Sequence, residues 1–325
     1  MNHDPSSLIV AGTPATPMLA PLPARAAETL SELFDGWRRL AQSESGMPPI
    51  SPLIFRLLQV DRDAPLAVSE VAEIVESDPI LTARLLGLAN AAAYGGAGKP
   101  IKDVKSAVIR LGVYNAFETT FTQMFGLWVR HASRVPDDAL LDTLWLEYLI
   151  TAFCSRELAS ALTDHDADPG LCYTAALLHD VGTLALCWAE PKAMATFVQS
   201  GYARGTPLHQ QFVEAHTNLG AALLNGWNAP REMGAVAARH HIGLNGHEDV
   251  MTSIVYIADH LHDAVLLHEA SDFRPPEGYV LGCFGGATED VTAALTALGL
   301  VDKVGGIIDR VAGQSARIEA LAVMP

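Results

Sequence analysis

His179 and Asp180 stand side by side inside an apolar stretch, Leu171 to Leu186, which reads Leu-Cys-Tyr-Thr-Ala-Ala-Leu-Leu-His-Asp-Val-Gly-Thr-Leu-Ala-Leu. Burying an imidazole and a carboxylate among leucines is costly unless a metal ion or a tight hydrogen-bond network satisfies them. The dipeptide alone says little, because His-Asp also occurs at His3-Asp4, His165-Asp166 and His262-Asp263. Its setting singles it out: an apolar helical run, read as closed by Gly182, with further histidines downstream. His216 lies in a helical stretch whose Leu219, Leu223 and Leu224 face inward, as a core residue or a ligand. His240-His241 closes another helix, where an imidazole suits the negative end of the dipole. Asp259 is a carboxylate inside the apolar run Ile254 to Ala258, as a ligand or a structural hydrogen-bond acceptor. His3, His131, His165, His209, His247, His260, His262 and His268 read as solvent or loop residues.

The elements that carry these residues all read as helices. Leu30, Leu33, Phe34, Trp37 and Leu40 have helical spacing over Ala26 to Ser43. Asp78-Pro79 is a cap followed by proline at the first helical position, and Asp103 and Gly112 bound another helix. Long helices are expected over Val113 to Arg130, Ala139 to Leu162, Pro207 to Trp227 and Glu248 to Ala270. Two shorter ones are expected over Thr288 to Leu298 and Val304 to Leu321. No strand pattern appears. The fold class is therefore all-α.

The proline-rich first 25 residues cannot pack a core and read as a disordered leader. Tyr94-Gly95-Gly96-Ala97-Gly98 lacks the lysine and the preceding strand of a phosphate-binding loop and reads as a turn. The net charge of -16 argues against nucleic acid and against an anionic membrane surface as partners. No apolar run is expected to approach the ~18 residues that span a bilayer. Cys154, Cys172, Cys187 and Cys283 have no CxxC spacing and read as buried free thiols, which suits a reducing cytoplasm.

Three stretches together resemble one family, the HD-related output domain (HDOD), a signalling relative of the HD metal-dependent phosphohydrolases. The first is Met47-Pro48-Pro49-Ile50-Ser51-Pro52. The second, Ser77-Asp78-Pro79-Ile80-Leu81-Thr82-Ala83-Arg84-Leu85-Leu86-Gly87-Leu88-Ala89-Asn90-Ala91-Ala92-Ala93-Tyr94, is similar to the family signature almost throughout, with Ala91 where serine is common. The third runs from Pro100-Ile101 through Leu111-Gly112. His179-Asp180 then falls where the family's HD pair belongs. The resemblance covers roughly Gly46 to Ala264.

It implies a multi-helical HD-like bundle with an N-terminal helical subdomain packed on it. The leader would span 1–25, the HDOD domain 26–286 (subdomains 26–130 and 137–270) and a helical tail 287–325. It also implies a site of one or two divalent ions (Fe, Mn, Mg, Zn or Ni) held by Glu147, His179, Asp180, His216, His240, His241 and Asp259. Glu147 stands where members with an intact motif have histidine, and paired histidines like His240-His241 resemble the ligand pair of the HD-GYP subgroup. The Gly-Tyr-Pro that follows in that subgroup is absent, which argues against cyclic-di-GMP hydrolysis. Leu171 to Leu186 contains no Lys or Arg to clamp phosphate; Lys192, Arg204, Arg231 and Arg239 are the nearest in sequence. The implied function is a bacterial signal-transduction output or regulatory module in the cytoplasm, acting through contacts with signalling proteins, with a degenerate or regulatory HD metal site and room for a homodimer. The alternative is a metal-dependent phosphohydrolase of a nucleotide or small phosphoester.

Overall fold

The structure, a computed structural model, describes residues 22–42, 50–91, 100–132, 138–163, 167–241, 249–266, 268 and 288–322. Residues 1–21 of the expected 1–25 leader, Met47 to Pro49, the glycine loop 94–98, the loop at His165, residues 242–247 and 274–286, and Cys283 lie outside the described residues; Ala24 and Arg25, the end of that expected leader, are helical. Among the described residues all regular structure is helical.

Chain order begins with α1 (Ala24–Asp35) and α2 (Trp37–Gln42). The expected single helix over Ala26 to Ser43 is divided at Gly36, whose N–H closes the end of α1 by bonding the Glu32 and Leu33 carbonyls. Five helices follow: α3 (Pro52–Leu58), α4 (Ala67–Glu76), α5 (Pro79–Ala89), α6 (Val104–Leu111) and α7 (Val113–Ala132). Their boundaries follow local chemistry. Asp78 accepts from the Ile80 and Leu81 amides at 2.7 and 3.1 Å, and Asp103 accepts from Ser106 at 2.8 Å. Gly112 ends α6 at φ 80°, a conformation that a residue with a Cβ adopts only with strain. Asn90, just after α5, grips Ile101 twice, accepting from its amide at 2.8 Å and donating to its carbonyl at 2.9 Å.

The second half is built around α8 (Asp138–Ala161). Leu144, Leu149, Ile150, Phe153, Cys154 and Leu158 of this helix are fully buried. Against it pack α9 (Pro169–Leu178), α14 (Val250–Leu266), α16 (Val304–Ala312) and α17 (Ser315–Ala322). Neighbours on every side explain why α8 is apolar around most of its circumference. The expected helix over Val304 to Leu321 is two, parted at Gly313-Gln314. The rest of this half is α10 (Val181–Ala189), α11 (Pro191–Gln199), α12 (Pro207–Gly226), α13 (Arg231–Arg239) and α15 (Thr288–Ala297). α12 packs on both α10 and α13, and α1 and α2 lie against α12 despite their distance in sequence.

Two expectations are corrected here. Gly182 does not end the His179 helix. α9 stops at Leu178, His179 and Asp180 form the joint, and Gly182 sits in the first turn of α10. Pro169–Ala189, taken across that joint, is long and apolar enough to cross a membrane by length and composition, contrary to the expectation that no run comes near. Its apolar window is 94% buried inside the protein, which is the setting of a core helix. Cys154, Cys172 and Cys187 are buried free thiols, as expected.

Candidate metal centre

Asp180 starts α10 with non-helical geometry, φ -109° and ψ 21°. An aspartate there ordinarily turns its carboxylate onto the amides of the first turn, a cap that contributes about 1 kcal/mol. Asp180 makes no such bond. Its backbone carbonyl accepts from the Tyr148 hydroxyl at 3.1 Å, and its carboxylate is buried inside the protein.

There it meets two helices. Oδ1 of Asp180 lies 3.2 Å from Nε2 of His216 and 3.5 Å from Nε2 of His240, and the two nitrogens are 3.4 Å apart. His216 comes from the middle of α12 and His240 from the end of α13; both are fully buried. His241 joins them, its ring centroid 4.2 Å from that of His240 and 4.9 Å from that of His216. One donor atom from each of Asp180, His216, His240 and His241 can be chosen so that all lie within 4.8 Å of one another.

Backbone carbonyls fix the tautomers. Nδ1 of His216 donates to the Phe212 carbonyl at 2.7 Å, and Nδ1 of His240 donates to Ala237 at 3.0 Å. A carbonyl only accepts, so Nδ1 carries the proton and Nε2 of the neutral ring is an acceptor. Two nitrogen lone pairs and a carboxylate oxygen thus face one another, and Asp180 Oδ1 receives no hydrogen bond. A proton on one of the nitrogens, or a cation, must sit among them. Burial opposes the proton: it pushes His216 down to about 4 against the pull of Asp180, and His241 well below its ordinary value. Burial acts on the Asp180 carboxyl in the opposite sense, yet His216, His240 and His179 outweigh it and hold the group below the usual range.

The spacing fits an ion. A triangle with sides of 3.2, 3.4 and 3.5 Å has its centre about 1.9 Å from each corner (mean side divided by √3). Metal bonds to imidazole nitrogen and carboxylate oxygen are ~2.0–2.2 Å. Imidazole donors with one carboxylate suit borderline transition metals better than Mg, which prefers all-oxygen shells.

The other expected residues divide. His179 ends α9 and donates from Nδ1 to the Ala176 carbonyl, while its Nε2 faces Asp259 Oδ1 of α14 at 3.5 Å. Burial disfavours the charged imidazole, but Asp259 and Asp180 together raise it. The His179 ring stands edge-on to His240 at 4.8 Å, so this pair borders the four-residue group without being part of it. Asp259 Oδ2 accepts no hydrogen bond. Glu147, on α8, lies outside the four-residue group as well. Burial raises its carboxyl to about 8, so it stays protonated at neutral pH, a poor state for a metal ligand. His262 was expected at the surface, and this is corrected: it is 1% exposed, on α14 one turn beyond Asp259. Burial disfavours its charge, but Asp263 at 3.3 Å raises it to about 10. The three-residue step from Asp259 on an apolar helix was a signal for its burial.

Close helix packing makes the cluster possible. A Cβ built on Gly182 would fall 1.9 Å from the His216 carbonyl oxygen and 2.8 Å from the Gly220 amide nitrogen. Only glycine at 182 lets α10 meet α12 so closely, and that contact brings Asp180 beside His216.

The comparisons agree with this architecture. The HDOD domain model matches residues 47–242, so the chain belongs to the HDOD family. A protein of Treponema pallidum is 26% identical over 201 residues; the match spans 59% of this chain and 37% of that protein's length. An HDOD domain protein of unknown function from Geobacter sulfurreducens shares the fold with a TM-score of 0.57 at 22% identity, covering 87% of this chain and 98% of that one. A candidate signal transduction protein from Marinobacter aquaeolei gives 0.63 at 22%, covering 90% and 66%. A candidate phosphohydrolase from Shewanella amazonensis gives 0.61 at 19%, covering 89% and 96%. At these identities the likeness establishes the fold.

Proposed function

We propose that this chain is a signal-transduction output module whose buried centre of Asp180, His216, His240 and His241 holds one divalent transition-metal ion in a structural or regulatory role. The observation that carries this reading is the Asp180–His216–His240 triangle, three inward-facing acceptors with no donor among them. Four protein donors make a closed site, the pattern of structural rather than catalytic metal centres. Asp180, His216 and His240 are all under 5% exposed, which leaves a substrate little approach. The charged groups that act most strongly on Asp180 are His216, His240 and His179, none of them a Lys or Arg of the kind that clamps a phosphate. When bound, an ion here would supply Lewis acidity to whatever oxygen reached it. The chain's own residues would bind and orient it, through Nδ1 bonds that aim Nε2 of His216 and His240 inward. Output would then pass through contacts with signalling proteins in the cytoplasm.

A second reading, a metal-dependent phosphohydrolase, is favoured by His241. Unlike its neighbours it is partly exposed, so the centre has one side toward solvent. The full chain, purified and assayed for bound metal and for phosphoester and nucleotide hydrolysis with Mn, Fe or Mg, separates the two. The proposal expects one ion per chain and no turnover above the metal-free background. Metal-dependent turnover that disappears in folded His179→Ala and Asp180→Ala proteins would make the chain a hydrolase instead.

A further inference from the structure

The ring of His216 is held by more than its Nδ1 bond. It stacks face to face on Phe212, centroids 4.4 Å apart and planes 19° from parallel. Phe212 is in turn enclosed by three aromatic rings: Phe197 at 5.2 Å, Tyr202 at 5.4 Å and Phe34 at 5.6 Å. Phe34 also meets Phe197 at 5.5 Å, edge-on, so the set is a closed cluster with few ways to repack. Phe34 is the outlier in sequence. It belongs to α1, which precedes the matched family region 47–242.

α1 is poised to respond to what it touches. It has 12 residues, begins after Pro23 without a side-chain cap, and carries no acidic residue in its first turn. A helix this short is marginal in water by itself, so its order comes from docking. It docks through Leu30 and Phe34, both buried, and through Ser31, whose hydroxyl donates to Gln211 at 3.1 Å. Gln211 is the residue before Phe212.

We propose that Phe34 is a positioning residue for the metal centre, acting through Phe212 on the His216 imidazole, so that docking of α1 and occupancy of the centre are linked. This rests on the metal-centre reading above. Loss of the Phe34 ring opens space beside Phe212, the stacked imidazole follows, and Nε2 of His216 leaves its 3.2 Å approach to Asp180. Linkage is reciprocal: whatever lifts α1 weakens the ion, and the ion tightens α1.

The test titrates the full metal-free chain with cobalt(II), whose visible spectrum reports donor set and geometry. Wild type, Phe34→Ala, Phe34→Leu and Leu30→Ala are compared. Leu30 shares the helix and the burial of Phe34 but has no ring to press on Phe212. Both Phe34 variants should shift the cobalt band and weaken binding, by roughly 10- to 100-fold for Phe34→Ala, as with other supports of metal ligands. Leu30→Ala, which loosens α1 but keeps the ring on Phe212, should weaken binding less and leave the cobalt band where it is. Hydrogen exchange over 24–35 in wild type should slow when cobalt is added. If Phe34→Ala does not fold, Phe34→Leu, which retains apolar bulk but not the flat face, decides. Cobalt binding to wild type with Phe34 variants that match it overturns the proposal and leaves the metal centre standing; Phe34 variants that Leu30→Ala equals in both affinity and cobalt band overturn the positioning role of the ring. No cobalt binding to wild type removes the metal-centre reading and the linkage with it.

Discussion

Gly182 lies against the backbone carbonyl of His216 so closely that a methyl group on residue 182 would fall 1.9 Å from that oxygen. The obstacle is the main chain of α12, with Gly220 N also 2.8 Å away, so no flexible side chain can swing aside. Gly182→Ala must push α10 away from α12. It should destabilise the fold by at least ~1–3 kcal/mol, the usual range for forced overpacking. Denaturant unfolding measures this. The same displacement carries Asp180 away from His216, so the variant should also lose metal. Wild-type stability would mean that the two helices are less tightly apposed.

Glu147 gives a prediction with a definite pH sign. Burial raises its carboxyl to about 8 from an ordinary 4.5. Between those two values the folded chain holds a proton that the unfolded chain has released, so stability falls as pH rises from about 4.5 to about 8. Glu147→Gln removes the group that ionises but keeps its shape. The substitution should therefore stabilise the protein by an amount that grows across this window, on the order of a few kcal/mol at its upper end. Thermal or urea unfolding at pH 5 and pH 8 checks it. A variant less stable than wild type at pH 8 would show that Glu147 works as a carboxylate.

Asn90 tests a part of the molecule away from the centre. Its amide accepts from Ile101 N–H and donates to Ile101 C=O, clamping the start of the segment that leads into α6. Asn90→Ala leaves both backbone groups without this partner and should cost about 1–3 kcal/mol. Metal affinity should stay as in wild type. A change in metal affinity would mean that the N-terminal helices and the centre are coupled by another route.

Much of this was legible from sequence where the cause is local. Asp78-Pro79, Asp103 and Gly112 mark helix ends because caps and left-handed stops depend on a few neighbouring residues. The polar residues of the centre stood out because an apolar stretch rarely carries an unpaired His-Asp. What escaped depends on distance. Gly182 has the composition of a helix stop; its role as the contact with His216 follows only from how α10 crosses α12. His262, in a His-Asp pair, has the composition of a surface site; its burial follows from how α14 packs on α8. The docking of Phe34 on Phe212 joins residues far apart in the chain, which no periodicity encodes.

The claim beneath all of this is that Asp180, His216 and His240 face one another in order to share a cation. Anomalous X-ray scattering from crystals of the full chain grown with manganese or zinc, recorded at the metal's absorption edge, measures it directly. The account predicts one strong peak inside the triangle, ~2.0–2.3 Å from Asp180 Oδ1 and from Nε2 of both histidines. A map with no peak there, and with the carboxylate and the two rings bonded directly to one another, would contradict it.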